Sequence, residues 1–235
     1  MRRHPARIRA KRLRSHRLDD SSDDEEAEAP NVPSRRGNCI FFHCPVNRKT
    51  VLCLVSLLAE VAASMITMRC KQTVWLYIHS EGGDLYAGIS AMSHIRQFPG
   101  TVHTVVDGFV ASAATLMLLA GRRRHIHVHS GVLIHQLTTG FWGGKYEDLK
   151  DEYRTCERLM QQLKTIYVTH TQMPDQIVND HLKSEIFLDA AECIKYNIVQ
   201  EIIKPPRGSV HGSYNQDGGA AQEGGGIHSA DPSTT

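Results

Sequence analysis

Apolar and polar positions along the chain switch repeatedly between two periods. Residues 39–42 (CIFF) form a short apolar block that predicts a first strand. Over residues 49–65, Val51, Leu54, Val55, Leu58 and Val61 recur at helical spacing, so a helix with one apolar face is expected. Residues 74–78 alternate Trp75 and Tyr77 against Val74, Leu76 and Ile78, the period-two mark of a strand. Leu85, Ile89, Met92 and Ile95 line one face of a second helix, which Pro99-Gly100 ends. Residues 102–106 read as a strand, Asp107-Gly108 as a turn, and 112–120 as a helix closed by Gly121. Short strands are expected over 125–129 and 132–134. A long helix over 147–167 places Leu149, Tyr153, Cys156, Leu159, Met160, Leu163 and Ile166 on one stripe. Helices over 173–182 and 190–196 and a strand over 198–203 complete the series. Strand and helix alternate, so the class is α/β with a largely parallel sheet.

The two ends break this pattern. Residues 1–18 hold eight Arg/Lys and no acid, and residues 19–28 hold seven acids and no base. Neither stretch has the apolar surface to offset chain entropy, so 1–36 reads as a disordered charged tail. Its basic half suits a nuclear signal, a nucleic-acid-binding arm, a mitochondrial presequence or a plain solvated tail. Residues 205–235 are rich in Gly, Ser and Pro and read as a second disordered tail. One domain over 37–204 remains.

Composition narrows the classes. With 41% hydrophobic and 22% charged residues the chain fits a soluble globular protein, and a net charge of +2 gives no global signal for nucleic acid. Apolar runs fall short of the ~18 residues of a membrane span. The longest, over 51–68, is interrupted by Ser56, Glu60 and Ser64, so no membrane partner is expected. Six cysteines, at 39, 44, 53, 70, 156 and 193, lack CxxC spacing and read as free thiols of a reducing compartment. His125, His127 and His129 share a strand face, but no acid or cysteine beside them completes a metal site; an exposed, solvated row is expected.

Chemistry concentrates at three junctions. Ser80-Glu81-Gly82-Gly83 follows a strand and precedes a helix, where glycine lets a ligand approach the backbone and an N–H can hold negative charge. Ser112 opens a helix among the small residues Ala111, Ala113 and Ala114, as an ordinary N-cap or as a nucleophile favoured by the helix dipole. His135 ends an apolar strand. Each has an ordinary structural explanation alone. Together they supply a nucleophile, a base and oxyanion donors. GxGxxG, the P-loop and the G-x-S-x-G elbow are all absent.

These stretches resemble the proteolytic subunit of the Clp protease, the ClpP family of serine peptidases. The resemblance runs through "YIHSEGG", "DGFVASAATLMLLAG", "VLIHQLTTGFWG" and "FLDAAECIKYNIVQEII", in order, with residues 38–73 matching more loosely. "VDGFVASAATL" and "IHQLTTGFWG" look most like ClpP-like peptidases of phages and large DNA viruses. The resemblance implies a ClpP/crotonase-like fold of repeated ββα units, with residues 147–167 as a protruding handle helix. By position, Ser112 is the nucleophile, His135 the general base, and the N–H groups of Gly83 and Ala113 the oxyanion hole. Glu185 stands where the family has Asp, with Asp180 and Asp189 as alternates. Glu81 replaces a usual Pro, and Asn197 a common Gly that ends the last helix; Asn tolerates the left-handed conformation there. Residues 140–144 match a strand that pairs with bound peptide. Implied partners are unfolded proteins or peptides, further copies in stacked heptameric rings, and an AAA+ unfoldase. No cofactor or metal is implied. The expected compartment is the cytoplasm, a host's if the chain is viral, with the mitochondrial matrix as the alternative. Two other readings stay open: a catalytically silent ring subunit, and a crotonase-like acyl-CoA enzyme.

Overall fold

In the computed structural model, which describes residues 31–69, 72–140 and 144–204, the alternation becomes one seven-stranded sheet with helices packed on it. Strands β2 (Cys39–Phe42), β3 (Thr73–Ser80), β4 (Thr101–Ala111) and β5 (Arg123–His127) lie parallel in that order, and β7 (Glu201–Ile203) adds to β5. β1 (Ser34–Arg36) pairs antiparallel with β2 at the edge. β4 is long enough to serve two neighbours: residues 103–106 pair with β5, and 109–111 pair with β6 (Gly131–Leu133). That division brings the C-terminal end of β6 beside the C-terminal end of β4.

Helix α1 (Arg48–Met68) begins at a capping box in which Asn47 and Thr50 satisfy each other's backbone N–H. Its inner face, Val51, Leu54, Leu58, Val61 and Met65, is buried. By length and composition alone α1 would cross a membrane, because Ser56, Glu60 and Ser64 do not lower its mean hydropathy enough. Core packing accounts for the inner face alone: 28% of that apolar stretch is buried, and Leu52, Ile66 and Met68 are exposed. Helix α2 (Leu85–Gln97) lies against α3 (Ala113–Ala120), all eight residues of which are buried. The two helices approach closely at Gly88, where an added Cβ would sit 2.8 Å from the Ala113 carbonyl oxygen. Helix α4 (Tyr146–His170) is 25 residues long, yet only Leu163 and Tyr167 are buried, so its N-terminal half stands off the core as the expected handle. Helices α5 (Asp175–Leu182) and α6 (Ala190–Lys195) close the domain.

The α/β class and parallel sheet are as read from the pattern. Several details differ. Asp107-Gly108 is not a turn: β4 continues through it to Ala111, with a register shift against β3 and Gly108 at φ +99°. The last strand begins at Glu201 rather than at 198. The tail boundary at 36 falls inside ordered chain, since Ser34–Arg36 form a strand; an edge strand of polar residues lacks the apolar alternation that would announce it. Residues 1–30 and 205–235 lie outside the described residues. His125, His127 and His129 are not an exposed row. His125 is buried against Trp75 at 5.0 Å between ring centroids, and His129 lies beyond the end of β5. The strand matched to residues 140–144 falls partly on 141–143, outside the described residues, and 134–140 run without a regular element.

Candidate active site

Ser112 sits between β4 and α3 at φ +53°, ψ −128°. A non-glycine residue in that region is strained unless its surroundings hold it there. Ser112 N donates to Leu133 O at 3.0 Å, and Thr115 N and Oγ1 both donate to Ser112 O, at 3.0 and 2.6 Å. Thr115 Oγ1 in turn meets the hydroxyl of the buried Tyr167 at 2.6 Å. The serine occupies the N-cap position of α3, but its side chain makes no capping hydrogen bond. Its backbone is held from three sides while its side chain stays half-buried beside a cavity.

The Gly82-Gly83 turn packs directly on this serine. Gly82 has φ +96°, and a Cβ on it would lie 2.6 Å from Ser112 Cβ and 2.7 Å from Ala111 O. Gly83 has φ +141°, and its Cβ would collide with the Val46 carbonyl oxygen. The turn is fastened by Val46 N donating to Gly82 O at 2.7 Å and Asp84 N donating to Val46 O at 2.8 Å. This leaves the N–H of Gly83 without an acceptor among the described residues. Ala113 N–H, at the first position of α3, is likewise an unused helix donor. Two free N–H groups flanking a serine are suited to an oxyanion.

His135 follows β6, and Glu185 lies in the non-helical segment after α5. An isolated antiparallel bridge joins the two regions: Val132 N donates to Leu188 O at 2.9 Å, and Leu188 N to Val132 O at 2.7 Å. It carries Glu185 Oε1 to 3.3 Å from His135 Nδ1. A proton on Nδ1, on the side of Glu185, would leave Nε2 as acceptor for a hydroxyl proton. Glu185 is 75% exposed, so this contact orients the ring more than it stabilises the fold. Ser112 and His135 line the same cavity of about 520 Å³. No hydrogen bond joins their side chains in this structure, a spacing that substrate-free sites often show.

The alternates for the acid have other work. Asp189 caps α6, accepting from Glu192 N at 2.8 Å, and Asp180 accepts from Gln176 at 3.0 Å. Thus Ser112, His135, Glu185, Gly83 and Ala113 gather at one end of the sheet. The Thr115–Tyr167 support and the Val46 clasp were not legible beforehand, because each joins residues far apart in sequence. Among the described residues no group of His, Cys, Asp and Glu is spaced to hold a metal ion.

The Clp protease family model matches residues 38–206, the scaffold from β2 through β7. The chain belongs to the Clp protease family. It is a peptidase of the serine class. It is similar to the ATP-dependent Clp protease proteolytic subunit of Deinococcus radiodurans, with 28% identity over 139 residues, 58% of this chain and 68% of that protein. The same-named subunit of Pinus thunbergii is 22% identical over 183 residues, covering 76% of this chain and 91% of its own. A third, proteolytic subunit 3 of Rhodococcus jostii, is 28% identical over 152 residues, 62% of this chain and 75% of that one. Membership in the Clp protease family excludes neither strong nor weak turnover.

Proposed function

We propose that the chain is an endopeptidase that cleaves unfolded proteins or peptides through an acyl-enzyme, with Ser112, His135 and Glu185 as its triad. The observation that carries this reading is the His135–Glu185 contact at 3.3 Å beside a serine held at φ +53°. Ser112 Oγ attacks the scissile carbonyl carbon as His135 Nε2 takes its proton. The tetrahedral oxyanion accepts from Gly83 N–H and Ala113 N–H. His135 then gives the proton to the leaving amine, and the C–N bond breaks. Water, deprotonated by the same imidazole, hydrolyses the serine ester and restores Ser112. Glu185 keeps Nδ1 protonated and stabilises the imidazolium.

We also propose that copies assemble into stacked rings through the handle. Exposed Tyr146, Leu149 and Tyr153 on α4 support this, as an isolated helix gains nothing from showing them to water. An AAA+ unfoldase feeding the chamber is the corresponding proposal for the ATP dependence in the relatives' names. Buried free thiols at Cys44 and Cys193 support a reducing compartment, for which we propose the cytoplasm. Hydrolysis of fluorescein-labelled unfolded casein tests the function. Wild type is expected to release fluorescence, with Ser112→Ala and His135→Ala silent at the same assembled mass. An assembled wild type as inert as Ser112→Ala would instead identify a silent ring subunit.

A further inference from the structure

The cavity beside Ser112 and His135 is one-sided in charge. Its wall carries the carboxylates of Glu81, Asp84 and Glu152 and no lysine or arginine. Asp84 Oδ1 accepts from Ala87 N at 2.6 Å, and Glu152 Oε1 from Thr139 Oγ1 at 2.8 Å. These donors are neutral, and none of the three acids is in an ion pair among the described residues. Two bases on the neighbouring part of α4 are engaged, Lys150 with Glu147 at 3.0 Å and Arg154 with Asp151 at 3.2 Å, while Arg158 is in no ion pair among the described residues and does not line the cavity.

The acids sit at two distances from the chemistry. Glu81 and Asp84 flank the Gly82-Gly83 turn packed on Ser112. Glu152 is further off. The stretch after His135 follows α4 toward its N-terminus, with Leu137 N on Met160 Sδ at 3.3 Å and then Thr139 on Glu152. At ~3.3 Å per extended residue, four residues span about 13 Å. A peptide laid along this stretch therefore meets Glu152 about four residues from the bond cut.

We infer that this groove selects basic peptide segments, with Glu152 recognising a lysine or arginine about four residues from the scissile bond. This rests on Ser112 marking the point of cleavage. Glu81 and Asp84 add an attraction for positive charge nearer that bond, while Leu159 and Leu163 in the same wall accept an apolar residue. Exchanging Lys for Glu at the distant position gains one attraction and removes one repulsion. For solvent-accessible charges that amounts to about tenfold in affinity at low salt, and most of it is lost toward 1 M, where the Debye length shrinks to ~3 Å.

Two fluorescein-labelled peptides test this, each with a Leu-Leu centre and either Lys or Glu at the fourth residue on both sides. Binding to the full-length Ser112→Ala protein is read by anisotropy, and cleavage is followed with wild type. The Lys peptide is expected to bind about tenfold more tightly at low salt. In Ser112→Ala/Glu152→Gln the preference is expected to fall at least threefold. Equal binding of the two peptides overturns the inference whether or not wild type cleaves. A preference unchanged by Glu152→Gln overturns the role of Glu152. If the Lys peptide binds better and wild type cuts neither, the catalytic reading fails and the basic selectivity stands.

Discussion

Three residues show how much of the site lies in single backbone angles and single carboxylates. Gly82 is required by φ +96° and by the 2.6 Å that a Cβ would leave to Ser112 Cβ. Gly82→Ala is expected to lower kcat/KM by at least 100-fold, with a fall in Tm that circular dichroism melts can check. Glu185 is different, because its carboxylate is 75% exposed and water can share its task. Glu185→Gln should cost on the order of 10² in kcat with little change in KM, less than the ~10⁴ lost when a buried triad acid is replaced. A loss as small as twofold would assign the orienting role elsewhere. Asn197, expected at a left-handed position after the last helix, has φ +52°. Asn197→Gly relieves that strain and should raise stability by up to ~1 kcal/mol in denaturant melts.

At the scale of elements, legibility followed periodicity. Helices α1 and α2 and strand β3 were read closely because each shows one apolar face to one core. What escaped was set by contacts between elements. Arg124 is the last of three consecutive arginines, 122–124, yet it is buried. Its guanidinium donates to the carbonyls of Ile198 at 2.7 Å and Asn197 at 2.8 Å, tying β5 to the chain leaving α6. Nothing local marks it. Arg124→Ala should destabilise by about 2–4 kcal/mol, because the buried Ile198 carbonyl and the half-buried Asn197 carbonyl lose a charged donor. The site was legible in type rather than in mechanism. Small residues around Ser112 announced a tight junction, but the positive φ arises only once β4 pairs with β6 and Leu133 receives Ser112 N. The handle's Leu149 and Tyr153, 55% and 63% exposed, belong to this scale too. Leu149→Asp/Tyr153→Asp is expected to leave the helical signal intact and shift the light-scattering mass to smaller species.

For the whole molecule, one buried and two half-buried histidines set a pH limit. Burial pushes the pKa of His125 and His103 down, helped by Arg123, and burial with Arg96 and Arg124 does the same for His170. A group with a lowered folded pKa binds protons more readily in the unfolded chain. Stability is therefore held above the unfolded value of about 6.5 and falls as pH drops from there toward the folded values. Tm should be level between pH 8 and 7 and decline below 6.5, and His125→Phe should reduce the slope; a Tm that rises on acidification would contradict this. Burial also raises the thiols of Cys44 and Cys193 to about 12, so iodoacetamide at pH 8 should modify neither before unfolding.

Fluorophosphonate labelling followed by peptide mapping reads directly whether Ser112 is an activated nucleophile. One adduct on Ser112 is predicted, absent in Ser112→Ala and slower to form in His135→Ala and Glu185→Gln. Assembled wild-type protein that takes up no probe, or takes it up equally well after Ser112→Ala, would show that Ser112 is not the nucleophile.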